Sequence, residues 1–209
     1  MSTRTVFANF GRLAVAAACV ISASCGGDLM RTGRSPMMLV IDNMAATPGG
    51  GGAAAGFLMS DVQVLVDQTV NGVTTKVPTI FNDSLTATIR SIEKNPNATA
   101  TPINGITLTR YRVVFLRADG RNTPGIDVPF GFDGGLGITI NPGNTAQVSI
   151  DIVRHQAKLE PPLMNLAGTG GLGFISSIAE VTFYGRDQNG NEVSVTGRID
   201  VQFGDFGDE

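Results

Sequence analysis

Tryptophan is absent from this 209-residue chain, and aromatic residues make up only 6% of it. Flat β surfaces that bind sugars usually depend on aromatic stacking, so a carbohydrate-binding module is disfavoured. Histidine is represented by His155 alone. A Ser-His-Asp triad would have to use it, yet the chain has no Gly-x-Ser-x-Gly elbow, and we expect His155 to be a solvated surface side chain.

Cysteine is nearly as scarce, since the chain has only Cys19 and Cys25, both near its beginning. The rest of the sequence therefore offers no thiol for a disulfide, a zinc site or a nucleophile. Charged residues amount to 16% and hydrophobic residues to 42%, which is typical of a packed domain rather than a disordered one. The formal net charge of −3 gives no electrostatic reason to bind nucleic acid, and we expect no cofactor.

The first 25 residues have the order of an export signal. Arg4 and Arg12 precede an apolar run from Leu13 to Ala23, which is too short to span a bilayer comfortably. The run ends in Ser22-Ala23-Ser24-Cys25, which resembles a bacterial lipobox with serine where leucine is usual. The resemblance implies a leader over residues 1–24 and a lipidated Cys25. The alternative cut, before Cys19, would leave an apolar run of only about six residues.

A lipidated Cys25 implies an extracytoplasmic protein that is anchored to a membrane by its N-terminal lipid. Gly26 rather than aspartate follows the cysteine, which by analogy favours the outer membrane if the source has one. Residues 25–36 then form a short tether that reaches roughly 35–40 Å when extended. The leader holds two of the 15 basic and none of the 18 acidic residues, so its removal leaves a net charge of −5.

Beyond the tether, the sequence alternates between apolar and polar residues with the period of a β-strand, and no convincing helical period exceeds one or two turns. Short strands separated by turns predict an all-β sandwich or barrel in a single domain over residues 37–209. The predicted core residues are Val113, Phe115, Ile150, Val181, Phe183, Val195, Ile199 and Val201.

Three short motifs mark the connections. Asn71-Gly72 lies between two alternating runs and predicts a β-hairpin. Asp133-Gly134-Gly135 predicts a turn after a short extended piece over residues 126–132. Pro161-Pro162 excludes the interior of a regular strand or helix.

The last predicted hairpin has the turn Asp187-Gln188-Asn189-Gly190-Asn191. It resembles the final hairpin of bacterial immunoglobulin-like domains, which often contain an Asp-x-x-Gly-Asn turn. The resemblance covers about 25 residues. It implies an immunoglobulin-like antiparallel β-sandwich, but it transfers no function.

Two groups of residues are candidate sites. Asp187, Asn189 and Asn191 have the first three ligand spacings of a calcium loop, although Glu192 and Arg198 break the later pattern. The alternative is a plain hydrogen-bonded turn. A second group of arginines forms either an anion-binding patch or ion pairs with carboxylates on neighbouring strands; its members are Arg110, Arg112, Arg117 and Arg121.

The sequence favours a lipid-anchored, non-catalytic interaction or structural module of the bacterial envelope. Its partners would be the membrane, through the lipid, and another envelope protein, with no nucleic acid. No catalytic residue is identified, because catalysis needs an activated nucleophile, a tuned acid or base, or a metal. Two alternatives remain: an exported hydrolase that uses loop carboxylates, and a lipoprotein that binds a small ligand or a sugar.

Overall fold

The computed structural model describes residues 33–99 and 101–206, and its regular structure is almost entirely β. The alternating pattern therefore predicted the fold class correctly. The strands are β1(Met37–Thr47), β2(Phe57–Asp61), β3(Val64–Val70), β4(Val73–Thr79), β5(Asp83–Glu93), β6(Ile106–Leu116), β7(Phe132–Ile140), β8(Thr145–Val153), β9(Phe174–Asp187) and β10(Glu192–Gly204). One turn of helix, α1(His155–Lys158), and the 3₁₀ turns Pro102–Asn104 and Leu163–Leu166 complete the described elements.

The strands form two packed sheets and a separate hairpin. One sheet has the order β1-β5-β8, and the other has the order β2-β10-β9-β6-β7. Every pairing in these sheets is antiparallel except that of β2 with β10, which is parallel. The prediction of a purely antiparallel sandwich is wrong at this edge. The chain crosses from β1 to the other sheet before β2, and it then runs beside β10 in the same direction.

The core lies between the inward faces of the two sheets. Phe115, Phe183 and Phe203 are fully buried there, and the rings of Phe115 and Phe203 meet edge to face at 5.5 Å. The predicted core residues are buried except Val195, which is half-buried and packs at the margin of the core. Gly197 on β10 allows close approach of β1, because a Cβ there would overlap Met44 and Ile41.

The predicted turn at Asp133-Gly134-Gly135 is wrong, because all three residues lie inside β7. At position 134, packing against a neighbouring side chain explains the glycine better than a turn does. Gly134 lies against the ring of Tyr111 on the adjacent strand β6, and a Cβ at this position would overlap that ring. A glycine in a strand can therefore mark close approach of a neighbouring side chain.

The motifs Asn71-Gly72 and Pro161-Pro162 have the roles that the sequence predicted. Asn71 and Gly72 have φ angles of 54° and 80°, as a type I′ turn requires, and they join β3 to β4. Pro161 and Pro162 lie between α1 and the second 3₁₀ turn, outside any strand.

Truncation of Phe115 to alanine should lower the free energy of unfolding by about 3–5 kcal/mol, because a large cavity would replace a fully buried ring. Urea denaturation followed by far-UV circular dichroism measures this change. The matched control is Phe174→Ala, which removes a ring that is 68% exposed and should cost less than about 0.5 kcal/mol. Equal losses for both variants would contradict the assignment of the core.

Candidate functional site

The predicted lipidation site lies outside the described residues, as does the alternative Cys19. The described chain begins at Gly33 and enters β1 at Met37. No helix in the described ranges is long and apolar enough to cross a membrane.

The turn that joins β9 to β10 is organised around Asp187, which is only 4% exposed. Its Oδ1 accepts hydrogen bonds from the backbone N–H groups of Asn189 and Asn191, at 3.0 and 2.9 Å. Its Oδ2 accepts one from Nδ2 of Asn191 at 2.9 Å. Asn191 therefore acts as a donor to Asp187 rather than as a second oxygen ligand beside it.

Two opposing influences act on the pKa of Asp187. Burial alone would raise the pKa, but hydrogen bonds from Asn191, Ser35 and Asn189 together lower it below the ordinary value of an aspartate. Ser35 lies just before β1, so its contribution to the pKa of Asp187 places the turn beside the segment that leads into β1. Within residues 33–99 and 101–206, no group of three or more His, Cys, Asp or Glu side chains is placed to hold a metal ion.

The four predicted arginines lie along β6 and the loop that follows it, and three of them bind carboxylates. Nη1 of Arg110 is 3.0 Å from Oδ1 of Asp133 on the neighbouring strand, and the guanidinium also stacks on the ring of Tyr184 at 4.1 Å. Arg117 and Arg121 share the carboxylate of Asp119 in the loop. Arg112 is exposed on the same face as Arg110.

Asp119 accepts hydrogen bonds from both Arg117 and Arg121, with the closest contacts at 2.7 and 2.9 Å. The hydrogen bond from Arg117 is the main reason that the pKa of Asp119 lies well below its usual range. The same hydrogen bond raises the pKa of Arg117. Intramolecular ion pairs therefore use much of the positive charge that an anion-binding patch would need.

His155 begins the helical turn α1 and is exposed, as the sequence indicated. Its Nδ1 lies 3.0 Å from Oδ1 of Asn82, and the same oxygen accepts the backbone N–H of His155 at 2.7 Å. The contacts of His155 thus fix the start of α1 against the chain that precedes β5.

The structure reveals a buried charged cluster that the sequence did not indicate. Asp83 and Lys158 form an ion pair whose side chains are 0% and 1% exposed, with Lys158 Nζ at 3.1 and 3.0 Å from the two carboxylate oxygens. Ser60 Oγ donates to Oδ2 at 2.6 Å, and the backbone N–H of Gly49 donates to Oδ1 at 2.7 Å. Both oxygens of the carboxylate are therefore bound to donors.

No local pattern could have located this cluster. Asp83 begins β5, Lys158 ends α1, and 75 positions separate them along the sequence. Neither residue belongs to a motif of fixed spacing, and a lone lysine after a strand usually reaches solvent. Only the packing of α1 over the end of the sandwich brings the two charges together.

The hairpin of β3 and β4 forms its own two-stranded sheet, and none of the residues in its two strands is buried. The cross-strand register pairs Val66 with Val77 and Val70 with Val73. Because alternate residues share a face, five valines lie on one side of this hairpin. We call this side the valine face; its members are Val64, Val66, Val70, Val73 and Val77.

The valine face is largely open to solvent. Val66, Val70 and Val73 are 38%, 57% and 63% exposed, and among the described residues the core cluster includes no member of the valine face. An exposed apolar surface on a projecting element is typical of an interaction site. The hairpin is therefore the candidate site for binding another molecule.

Two shallow depressions are the other surface features of interest. One, of about 230 Å³, lies on the outer face of the larger sheet beside Arg110, Tyr184 and Glu192. The other, of about 340 Å³, lies between the edge strands β7 and β8, with Tyr111 and Ile150 at its base. Binding sites for small ligands are usually clefts of about 300–1,000 Å³ that enclose most of the ligand.

No protein-family model matches the chain, and neither a curated protein nor a solved structure matches it.

Replacing Lys158 with methionine should lower the free energy of unfolding by about 3–5 kcal/mol, because it leaves the carboxylate of Asp83 buried without its cation. Adding Asp83→Asn removes that charge, so the double variant should be more stable than Lys158→Met alone. Urea denaturation of the two single variants and the double variant measures this coupling. A cost below about 1 kcal/mol for Lys158→Met would contradict a buried pair.

Asp187→Asn should destabilise the fold by about 1–3 kcal/mol at pH 7, because charge-assisted hydrogen bonds are lost. The lowered pKa of Asp187 means that its ionised form stabilises the native state above about pH 4. This contribution is lost as the pH falls through the lowered pKa, so the difference between wild type and variant should shrink in acid.

The control for this experiment is Asp200→Asn, which changes an exposed aspartate on β10. It should have little effect at any pH. The same thermal unfolding assay tests the calcium hypothesis: the hydrogen-bonded turn predicts no change in Tm with millimolar calcium. A calcium-dependent rise that Asp187→Asn abolishes would instead support a metal site at Asp187, Asn189 and Asn191.

Proposed function

We propose that this chain is a lipid-anchored, non-catalytic interaction module on the extracytoplasmic face of a bacterial membrane. The observation that carries the proposal is the exposed valine face of the hairpin, which leaves the sandwich at the end opposite the start of β1. Such an arrangement holds a contact element away from the membrane surface while the lipid keeps the molecule attached.

Contacts at the two ends of β1 support this arrangement. Ser35, before β1, helps to lower the pKa of Asp187, so the described chain enters β1 at the end where β9 and β10 are joined. At the other end of β1, Gly49 and Ser60 bond Asp83, and the hairpin begins at Val64. β1 has 11 residues, so these ends lie roughly 35 Å apart.

The strand order supports an immunoglobulin-like sandwich as the scaffold. Without β2 and the hairpin, the remaining strands can be lettered in chain order as A, B, C, C′, E, F and G. The sheets then read A-B-E and G-F-C-C′, which agrees with the distribution of strands in that fold, strand D excepted. This sandwich presents its loops and hairpins at two ends, which suits a module that is attached at one end and binds at the other.

The contacts of the carboxylates support a non-catalytic role. Asp83 binds a lysine, Asp119 and Asp133 bind arginines, and Asp187 organises a turn. A general acid or base needs a carboxyl group that can reach a substrate. In this fold these four side chains contact their own chain instead, and each contact has a structural consequence.

The anchoring step is tested by Cys25→Ser in the full chain expressed from its own leader. The variant should leave the membrane fraction and lose metabolic labelling with fatty acid, since two or more acyl chains are needed for stable anchoring. Cys19→Ser is the matched control and should stay in the membrane fraction and remain labelled.

Labelling that persists in Cys25→Ser and disappears in Cys19→Ser would show that Cys19, rather than Cys25, is the lipidated residue. Soluble wild-type protein would contradict the anchoring proposal altogether. A hydrolase activity of the purified wild-type chain that Asp119→Ala or Asp133→Ala abolishes would contradict the non-catalytic role.

A further inference from the structure

We propose that Asn71 is a site of spontaneous covalent modification, at which the side chain cyclises with the backbone nitrogen of Gly72 and then hydrolyses to aspartate or isoaspartate. The proposal is independent of the proposed anchoring and contact roles, because it follows from the chemistry of the turn between β3 and β4. Two other Asn-Gly pairs in the chain, at residues 104–105 and 189–190, provide an internal comparison.

The reaction needs only the two residues and water. The backbone nitrogen of Gly72 attacks Cγ of Asn71, the bond from Cγ to the side-chain nitrogen breaks, and ammonia leaves with the proton of the backbone nitrogen. Water then adds to either carbonyl of the five-membered imide. Opening at Cγ gives aspartate, and opening at the backbone carbonyl gives isoaspartate, in which the chain continues through the side chain. Glycine favours ring closure because it has no Cβ to obstruct the nitrogen.

The three Asn-Gly pairs differ in the hydrogen bonds of the attacking nitrogen. Among the described residues, none accepts the N–H of Gly72 or bonds the side chain of Asn71, and both residues are exposed. The N–H of Gly105 instead donates to a carbonyl oxygen of its own 3₁₀ turn at 3.0 Å, and that of Gly190 donates to the carbonyl of Asp187 at 3.0 Å. A nitrogen that donates a hydrogen bond must lose it before it can attack.

The surroundings of the asparagines differ in the same direction. Oδ1 of Asn104 accepts hydrogen bonds from the N–H and the hydroxyl of Thr101, at 3.0 and 3.1 Å, which fix the amide that would have to rotate. Asn189 lies in the turn that the buried carboxylate of Asp187 closes, and it donates its own N–H to that carboxylate at 3.0 Å. Ring closure at either of these sites therefore requires several contacts to break.

The turn at Asn71 belongs to an element that can open without exposing core residues. β3 and β4 form their own two-stranded sheet, in which no residue is buried. A lone two-stranded hairpin is marginally stable in water, so it opens locally at little cost. Asn71 has a φ of 54° in the closed turn, and transient opening gives its side chain the freedom to reach the nitrogen of Gly72.

The two products differ in their effect on the hairpin. Isoaspartate inserts a further methylene group into the backbone between residues 71 and 72, so a two-residue turn can no longer join Val70 to Val73 in their present register. Aspartate tolerates positive φ and is common before glycine in type I′ turns. Aspartate at position 71 therefore preserves the hairpin, whereas isoaspartate opens it.

Incubation of the purified full chain in mildly alkaline buffer tests the site. Trypsin cleaves after lysine and arginine, so the three Asn-Gly pairs fall in separate peptides, over residues 35–76, 95–110 and 187–198. Mass spectrometry with electron-transfer fragmentation measures aspartate and isoaspartate in each peptide. Conversion of Asn71 should be at least about tenfold faster than that of Asn104 or Asn189, because no hydrogen bond of the attacking nitrogen has to break.

The same incubation in urea is the control for local sequence. Glycine follows all three asparagines, so the unfolded chain should convert them at similar rates, and the advantage of Asn71 should disappear. A smaller advantage in the folded protein, or an advantage that persists in urea, would overturn the proposal.

A pair of glycine variants tests the attacking nitrogen. Gly72 and Gly190 have φ angles of 80° and 81°, and a Cβ would meet open space at both positions. Alanine therefore imposes similar backbone strain at either site. Gly72→Ala should abolish measurable conversion of Asn71, whereas Gly190→Ala should leave its rate unchanged. Equal rates in the two variants would contradict attack by the nitrogen of Gly72.

Asn71→Asp separates the effect of the isoaspartyl backbone from that of the new charge. Limited digestion of the folded protein with trypsin reports on the hairpin at Lys76, which is exposed on β4. Cleavage there should be several-fold faster in incubated than in fresh wild-type protein, and it should be unchanged in fresh Asn71→Asp. Equal cleavage before and after incubation, or fast cleavage in Asn71→Asp, would contradict the opening of the turn by isoaspartate.

Discussion

The buried ion pair of Asp83 and Lys158 is the interaction on which one end of the fold depends, the end at which the hairpin leaves the sandwich. A carboxylate with no exposure is stable only if donors bind both oxygens and a cation balances its charge. Those donors come from the loop after β1, from β2 and from α1, so one side chain connects segments of both sheets. The hairpin leaves the sandwich directly after β2, where this cluster fixes the chain.

A second buried carboxylate, Asp187, has the corresponding role at the other end. It closes the turn between β9 and β10 and, through Ser35, holds the segment that leads into β1. The two ends of the sandwich are therefore both fixed by polar contacts, whereas its middle is fixed by apolar packing around Phe115 and Phe203.

In the hairpin, the turn could be predicted from neighbouring residues, but the exposure of the valine face could not. Asn71-Gly72 between alternating runs predicted the turn correctly, because a type I′ turn needs only the two residues that tolerate positive φ. The same alternation would normally indicate a half-buried strand, yet the valine face packs on no large part of the body. Whether an apolar face is covered depends on which other segments reach it, and the residues of the hairpin do not encode that.

The sequence by itself determined the all-β class, most of the core and the final hairpin, because alternation and turn chemistry act between neighbours in the chain. Only the tertiary structure decided that β2 runs parallel to β10, that Gly134 lies in a strand against Tyr111, and that three of the four arginines bind carboxylates. It also decided the burial of Asp83 with Lys158. Each of these features depends on a contact between distant segments, and such contacts form only when the whole chain has packed.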